Sequence, residues 1–125
     1  MKTDKKTVGR KGEDEAAAFL EAEGQMILAR NWRGGHTEID IITMDRLGVH
    51  FVEVKSRTAP TAADPETGVD RAKQRHLVTA AGRFLRQAGG RLGDMEAFFD
   101  VVTVIFDRET TYLEYYPQAF IPYYG

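Results

Sequence analysis

Thr37-Glu38-Ile39-Asp40-Ile41-Ile42-Thr43-Met44 and Val49-His50-Phe51-Val52-Glu53-Val54-Lys55 are two runs rich in β-branched residues, and Arg46-Leu47-Gly48 makes a tight connection between them. They read as an antiparallel hairpin. Strand side chains alternate between faces, so Glu38 and Asp40 share one face, as do Glu53 and Lys55, while Ile39 and Val54 point the other way. If the charged faces coincide, three carboxylates and one ammonium converge. Phe51 lies on the side of Glu53 and Lys55, with Val52 and Val54 opposite, so neither face is purely polar. A strand apolar on both sides is usually interior, where charges must be paired or coordinate an ion. Asp40 and Glu53 offer the oxygen donors that a hard divalent cation takes from a protein, and Lys55 could orient the attacking water. The competing reading is a solvated hairpin face whose charges form ion pairs only.

Working outward, Gly12 to Glu23 reads as a helix with Ala16, Phe19 and Leu20 inward and Gly24 as its stop. Residues 1–8 are polar and read as a flexible tail. Glu13 lies at the margin of the apolar stripe and could lean over the sheet, where Asp14 and Glu21 could not; alternatively it only favours the helix dipole. Met26 to Trp32 reads as a strand, with Gly34-Gly35 as the turn after it. Thr58 to Thr67 carries Pro60 and Pro65, follows neither period, and is expected to be a mobile loop. Asp70 to Ala88 reads as a long helix with Ala72, Leu77, Ala80, Ala81, Phe84, Leu85 and Ala88 inward. Phe98 to Phe106 and Thr111 to Tyr116 complete the strands. The expected architecture is one α/β domain over residues 1–125, a mixed five-stranded sheet flanked by helices.

The 125 residues include no Cys, which excludes a disulfide scaffold, a thiolate zinc site and a cysteine nucleophile. The formal net charge is only -2, but it is segregated. Five acidic and no basic residues lie between Glu13 and Glu23, whereas eight Lys/Arg against four Asp/Glu lie between Glu53 and Arg91. On the second helix Arg71, Lys73, Arg75, Arg83 and Arg86, with Gln74 among them, suit phosphate contacts; the alternative is a solvated helix face. His76, His36 and His50 fall in different elements, so a His-based zinc site is not expected. P-loop, dinucleotide-binding and G-x-S-x-G patterns are absent. With neither a secretory signal nor a membrane span readable, the expected location is the cytoplasm.

Gly9-Arg10-Lys11-Gly12-Glu13 with Ala16 and Leu20, Asn31-Trp32-Arg33, Glu38-Ile39-Asp40-Ile41-Ile42, Phe51-Val52-Glu53-Val54-Lys55-Ser56-Arg57, Lys73-Gln74 and Phe99-Asp100-Val101-Val102 together resemble the YraN family of bacterial proteins. That family is similar to archaeal Holliday-junction resolvases and belongs to the restriction-endonuclease-like PD-(D/E)xK superfamily. The resemblance implies Asp40 and Glu53 as metal ligands, Glu13 as a further helix carboxylate and Lys55 as the catalytic lysine. Gln74 is implied as a phosphate or water contact. Ile39 stands where the superfamily's proline would be. The implied activity is Mg²⁺- or Mn²⁺-dependent hydrolysis of DNA, structured or branched, with Arg57, Arg71, Lys73 and Arg75 facing the nucleic acid. The alternatives are a catalytically silent DNA-binding protein that keeps the fold, and a protein-interaction module. The reading admits a homodimer.

Overall fold

A computed structural model describes residues 5–60 and 68–122. The elements are α1 (Lys5–Ala22), β1 (Met26–Gly34), β2 (Thr37–Met44), β3 (Val49–Thr58), α2 (Arg71–Ala88), α3 (Gly90–Gly93), β4 (Ala97–Asp107) and β5 (Thr110–Tyr116). The five strands form one sheet in the order β1-β2-β3-β4-β5. Tight turns make β1–β2, β2–β3 and β4–β5 antiparallel, whereas the crossover through α2 and α3 brings β4 back parallel to β3. This is the mixed five-stranded α/β architecture expected from the element order, and it is consistent with a restriction-endonuclease-like fold.

Each sheet face is covered by one helix. Ala16, Ala17 and Leu20 of α1 pack on Ile41, Val52, Val102 and Val104. On the other face Leu77, Ala80 and Ala81 of α2 pack on Ile39, Ile42, Val49, Phe51 and Phe99. The middle strands are therefore apolar on both sides, as Phe51 and Val52 implied.

Several boundaries differ from the sequence expectation for identifiable reasons. Helix α1 starts at Lys5, so Lys5 to Val8 are helical and not a tail; residues 1–4 lie outside the described residues. Val8, Gly12, Ala16 and Leu20 recur every four residues and are all buried, which carries the apolar stripe one turn before Gly12 to Val8. Gly12 permits close approach to β3, because a Cβ there would sit 1.7 Å from Ser56 Oγ. Of the expected loop 58–67, Thr58 ends β3 and the Ala59 N–H donates to the Phe106 carbonyl at 2.8 Å, while 61–67 lie outside the described residues. Helix α2 is capped by Asp70, whose Oδ1 accepts the Lys73 N–H at 2.8 Å. Ala72 and Ala88 are exposed rather than inward. Ala72 lies roughly 140° around the helix from Leu77, and Ala88 is the last residue of α2. Among the described residues no helix is long and apolar enough to cross a membrane.

Candidate active site

The site arises where the pleat of the sheet breaks. Pairing of β2 with β3 runs from Met44–Val49 to Ile41–Val52 and stops there. Ile41 packs against α1, yet Ile39, two residues earlier, packs against α2. In β1 the same switch occurs. Trp32, opposite Ile39, packs on the α2 side, while Arg30, opposite Ile41, reaches Asp14 of α1 at 2.7 Å. Between them Asn31 takes the left-handed conformation, φ 52°, which Asn tolerates better than most residues.

Asp40 sits at this switch. Its Oδ2 accepts the Val54 N–H at 2.8 Å, so a side chain replaces the ladder just where the two strands part. This brings the Asp40 carboxylate beside Glu53. Strict alternation also predicted that Glu38 would share its face with Asp40, but the switch breaks the alternation between them. Glu38 lies 3.8 Å from Arg33 of β1, and its charge acts on Glu13. Asp14, expected to point away from the sheet, is the acid that meets Arg30.

Burial pushes Asp40 up from 3.8 to about 7, aided by the charges of Glu53 and Glu13 and opposed by the Val54 N–H and Lys73. Glu53 is likewise raised by burial, with Lys73 and Lys55 acting against it. Glu13 is raised by burial, while Arg30 and a hydrogen bond from Asn31 hold it down. Its Oε1 is buried without a hydrogen-bond partner, 3.9 Å from an Arg30 nitrogen. Among the described residues no group of three or more His, Cys, Asp or Glu is gathered closely enough to hold an ion. The pair Asp40 and Glu53 offers oxygen donors that would suit one nonetheless: both are half-buried, and Asp40 is raised by the Glu53 charge even with Lys73 acting against it. Hard oxygen donors of this number suit Mg²⁺ or Mn²⁺, which complete their shells with water and phosphate oxygens. Without a cation, folding becomes less favourable as pH rises from 3.8 toward 7, since the unfolded chain has released a proton that folded Asp40 still holds.

The remaining sequence-predicted residues divide into two groups. Lys55 follows Glu53 on β3, and its Nζ donates to the Gly68 carbonyl at 2.5 Å. Lys73 is half-buried, and its charge acts on both Asp40 and Glu53, so it belongs with the carboxylates. Arg57, Arg71 and Arg75 are exposed. The Gln74 amide nitrogen donates to the Val69 carbonyl at 2.6 Å.

Sequence reasoning missed a second polar cluster, on the α1 face of the sheet. His50 Nδ1 lies 2.7 Å from Asp100 Oδ2 and its Nε2 lies 3.0 Å from Asp45 Oδ1. Tyr115 donates to the same Asp100 oxygen at 2.5 Å, and the Gln118 N–H donates to the other at 3.0 Å. Gln25 donates to Tyr115, and Thr43 donates to Gln25. The available signal was a polar residue inside each apolar run: His50 between Val49 and Phe51, and Asp100 between Phe99 and Val101.

Comparison with known proteins adds a lineage. A family profile described as uncharacterised protein family UPF0102 matches residues 12–104. A UPF0102 protein of Oleidesulfovibrio alaskensis is 45% identical over 96 residues, which is 77% of this chain but only 46% of that relative's length. One from Bacteroides thetaiotaomicron is 36% identical over 115 residues, covering 92% of this chain and 93% of the relative. Another, from Desulforapulum autotrophicum, is 38% identical over 120 residues, covering 96% and 98%.

Proposed function

The chain belongs to the uncharacterised protein family UPF0102, the YraN family its motifs resemble, and from the geometry of its carboxylates we propose that it hydrolyses DNA phosphodiesters with Mg²⁺ or Mn²⁺. The observation that carries this reading is the half-buried, repelling pair Asp40 and Glu53 at a break in the sheet, with Lys55 two residues further along β3. Asp40 and Glu53 would hold the cation, with Glu13 at the margin. A bound divalent cation supplies charge stabilisation at the phosphoryl oxygens and lowers the pKa of a coordinated water. Lys55 presents ammonium donors to that water or to the developing negative charge. Lys73 balances the carboxylates from the α2 side. Arg57, Arg71 and Arg75 bind backbone phosphates and set the register of the nucleic acid. Structured or branched DNA is the proposed substrate, and the cytoplasm the proposed setting.

The metal step is tested by titration calorimetry with Mn²⁺. Wild type should bind with a roughly tenfold higher affinity at pH 8 than at pH 6, because Asp40 must release its proton first. Asp40→Asn combined with Glu53→Gln should give no binding heat at either pH. Equal heats in the two proteins would remove the metal centre.

DNA contact makes a second demand. Arg71→Glu with Arg75→Glu should weaken binding alike for unrelated duplex sequences and reduce the slope of log K against log salt by about 2. An unchanged slope would take α2 out of the nucleic-acid surface.

A further inference from the structure

Lys55 is anchored by a backbone carbonyl, not by an acid. Its Nζ donates to Gly68 O at 2.5 Å, and the two residues after Gly68 are tied to the first turns of α2. Gln74 Nε2 donates to Val69 O at 2.6 Å, Asp70 Oδ1 accepts the Lys73 N–H at 2.8 Å, and Asp70 O accepts the Gln74 N–H at 2.9 Å. Residues 68, 69 and 70 thus each place oxygen atoms on a different partner: Lys55 of β3, the Gln74 side chain, and the N-terminus of α2.

We infer that Gln74 is a positioning residue for Lys55: by clamping Val69 to α2 it fixes the adjacent Gly68 carbonyl on which the Lys55 ammonium docks. The inference rests on the hydrolytic reading of the site and adds to it the part that aims the lysine. An ammonium has three donors on a flexible four-carbon stem, so one fixed acceptor removes most of its freedom and leaves two donors to aim at water and a phosphoryl oxygen. On either side of that bond, the Val69 side chain packs on the core of the α2 face and Asp70 is held by the helix cap. Without the Gln74 bond, the Val69 carbonyl loses its polar tie to α2, and the peptide bearing the Gly68 carbonyl can tilt about the Val69 side chain. The role is distinct from direct contact of Gln74 with phosphate or water, since the bond to Val69 O uses one of the two N–H groups of the amide.

The test compares Gln74→Met and Gln74→Glu, both similar in length to Gln but without a donor, with Gln74→Lys, which restores one. Lysine ammonium ¹H–¹⁵N correlation spectra at low temperature report the anchor directly, the Lys55 signal being identified by its absence in Lys55→Arg. Wild type should show a Lys55 signal protected from exchange. It should be lost in Gln74→Met and Gln74→Glu and return in Gln74→Lys. With Mn²⁺ and a cleavable DNA, Gln74→Met should lower kcat about tenfold or more, leaving KM and Mn²⁺ affinity within twofold, since misplacement of a reacting group by even an ångström is costly. A Lys55 signal unchanged in Gln74→Met and Gln74→Glu overturns the inference, as does a raised KM with kcat unaltered. The spectra need no turnover, so they decide the anchor even if the hydrolytic reading fails.

Discussion

Lys55→Ala is expected to lower the rate of DNA cleavage by at least about 100-fold while leaving Mn²⁺ and DNA affinity within about twofold. Lys55 is not needed to hold the cation, which Asp40 and Glu53 can do. What its loss removes is an interaction made chiefly in the transition state, so kcat should fall and binding should survive. The contrary outcome is equally sharp. If Lys55 serves only as counter-ion to Glu53, its removal would lower the melting temperature and leave any cleavage rate within a few-fold of wild type. Parallel calorimetric melting and single-turnover cleavage of the same preparation separate the two.

Asp100→Ala is expected to be the most destabilising single change outside the apolar core. The Asp100 side chain is fully buried and accepts from Tyr115 and the Gln118 N–H while facing His50. Truncation leaves these groups without their acceptor beside the buried His50, at a cost of about 3–5 kcal/mol. For a domain of this size that is a melting temperature lower by ~10–20 °C. A shift of less than about 2 °C would show that the cluster contributes little. The pH profile carries a further signature. Burial alone would lower the pKa of His50, but its bonds to Asp100 and Asp45 outweigh that and raise it. This contribution to stability is therefore complete below the unfolded value of 6.5 and is lost as pH rises through the folded value. In Asp100→Ala that alkaline decline should shrink, because the larger of the two bonds is gone.

Much of the architecture was legible because local pattern and tertiary role agree here. The hairpin of β2 and β3 and the stripe of Leu77, Ala80 and Ala81 on α2 each follow their expected period. Residue types marked Asp40, Glu53 and Lys55 as candidates. Their arrangement was less accessible, since the rule that side chains two apart share a face presumes an unbroken pleat. Here the pleat breaks at Asn31 and Asp40 together, sending Ile39 and Ile41 to opposite faces. The orientation of Lys73 toward the carboxylates depends on how α2 is set down beside β3, which no helical wheel contains. The His50–Asp100 contact joins residues fifty positions apart and could be sensed only as two polar interruptions in apolar strands.

The most direct measurement is cleavage of labelled linear, flapped and four-way DNA by the wild type, with Mg²⁺ or Mn²⁺ and with chelator, alongside Asp40→Asn. The account predicts cleavage of at least one substrate that requires the divalent cation and disappears in Asp40→Asn. No cleavage of any substrate, or cleavage that persists in chelator or in Asp40→Asn, would contradict it.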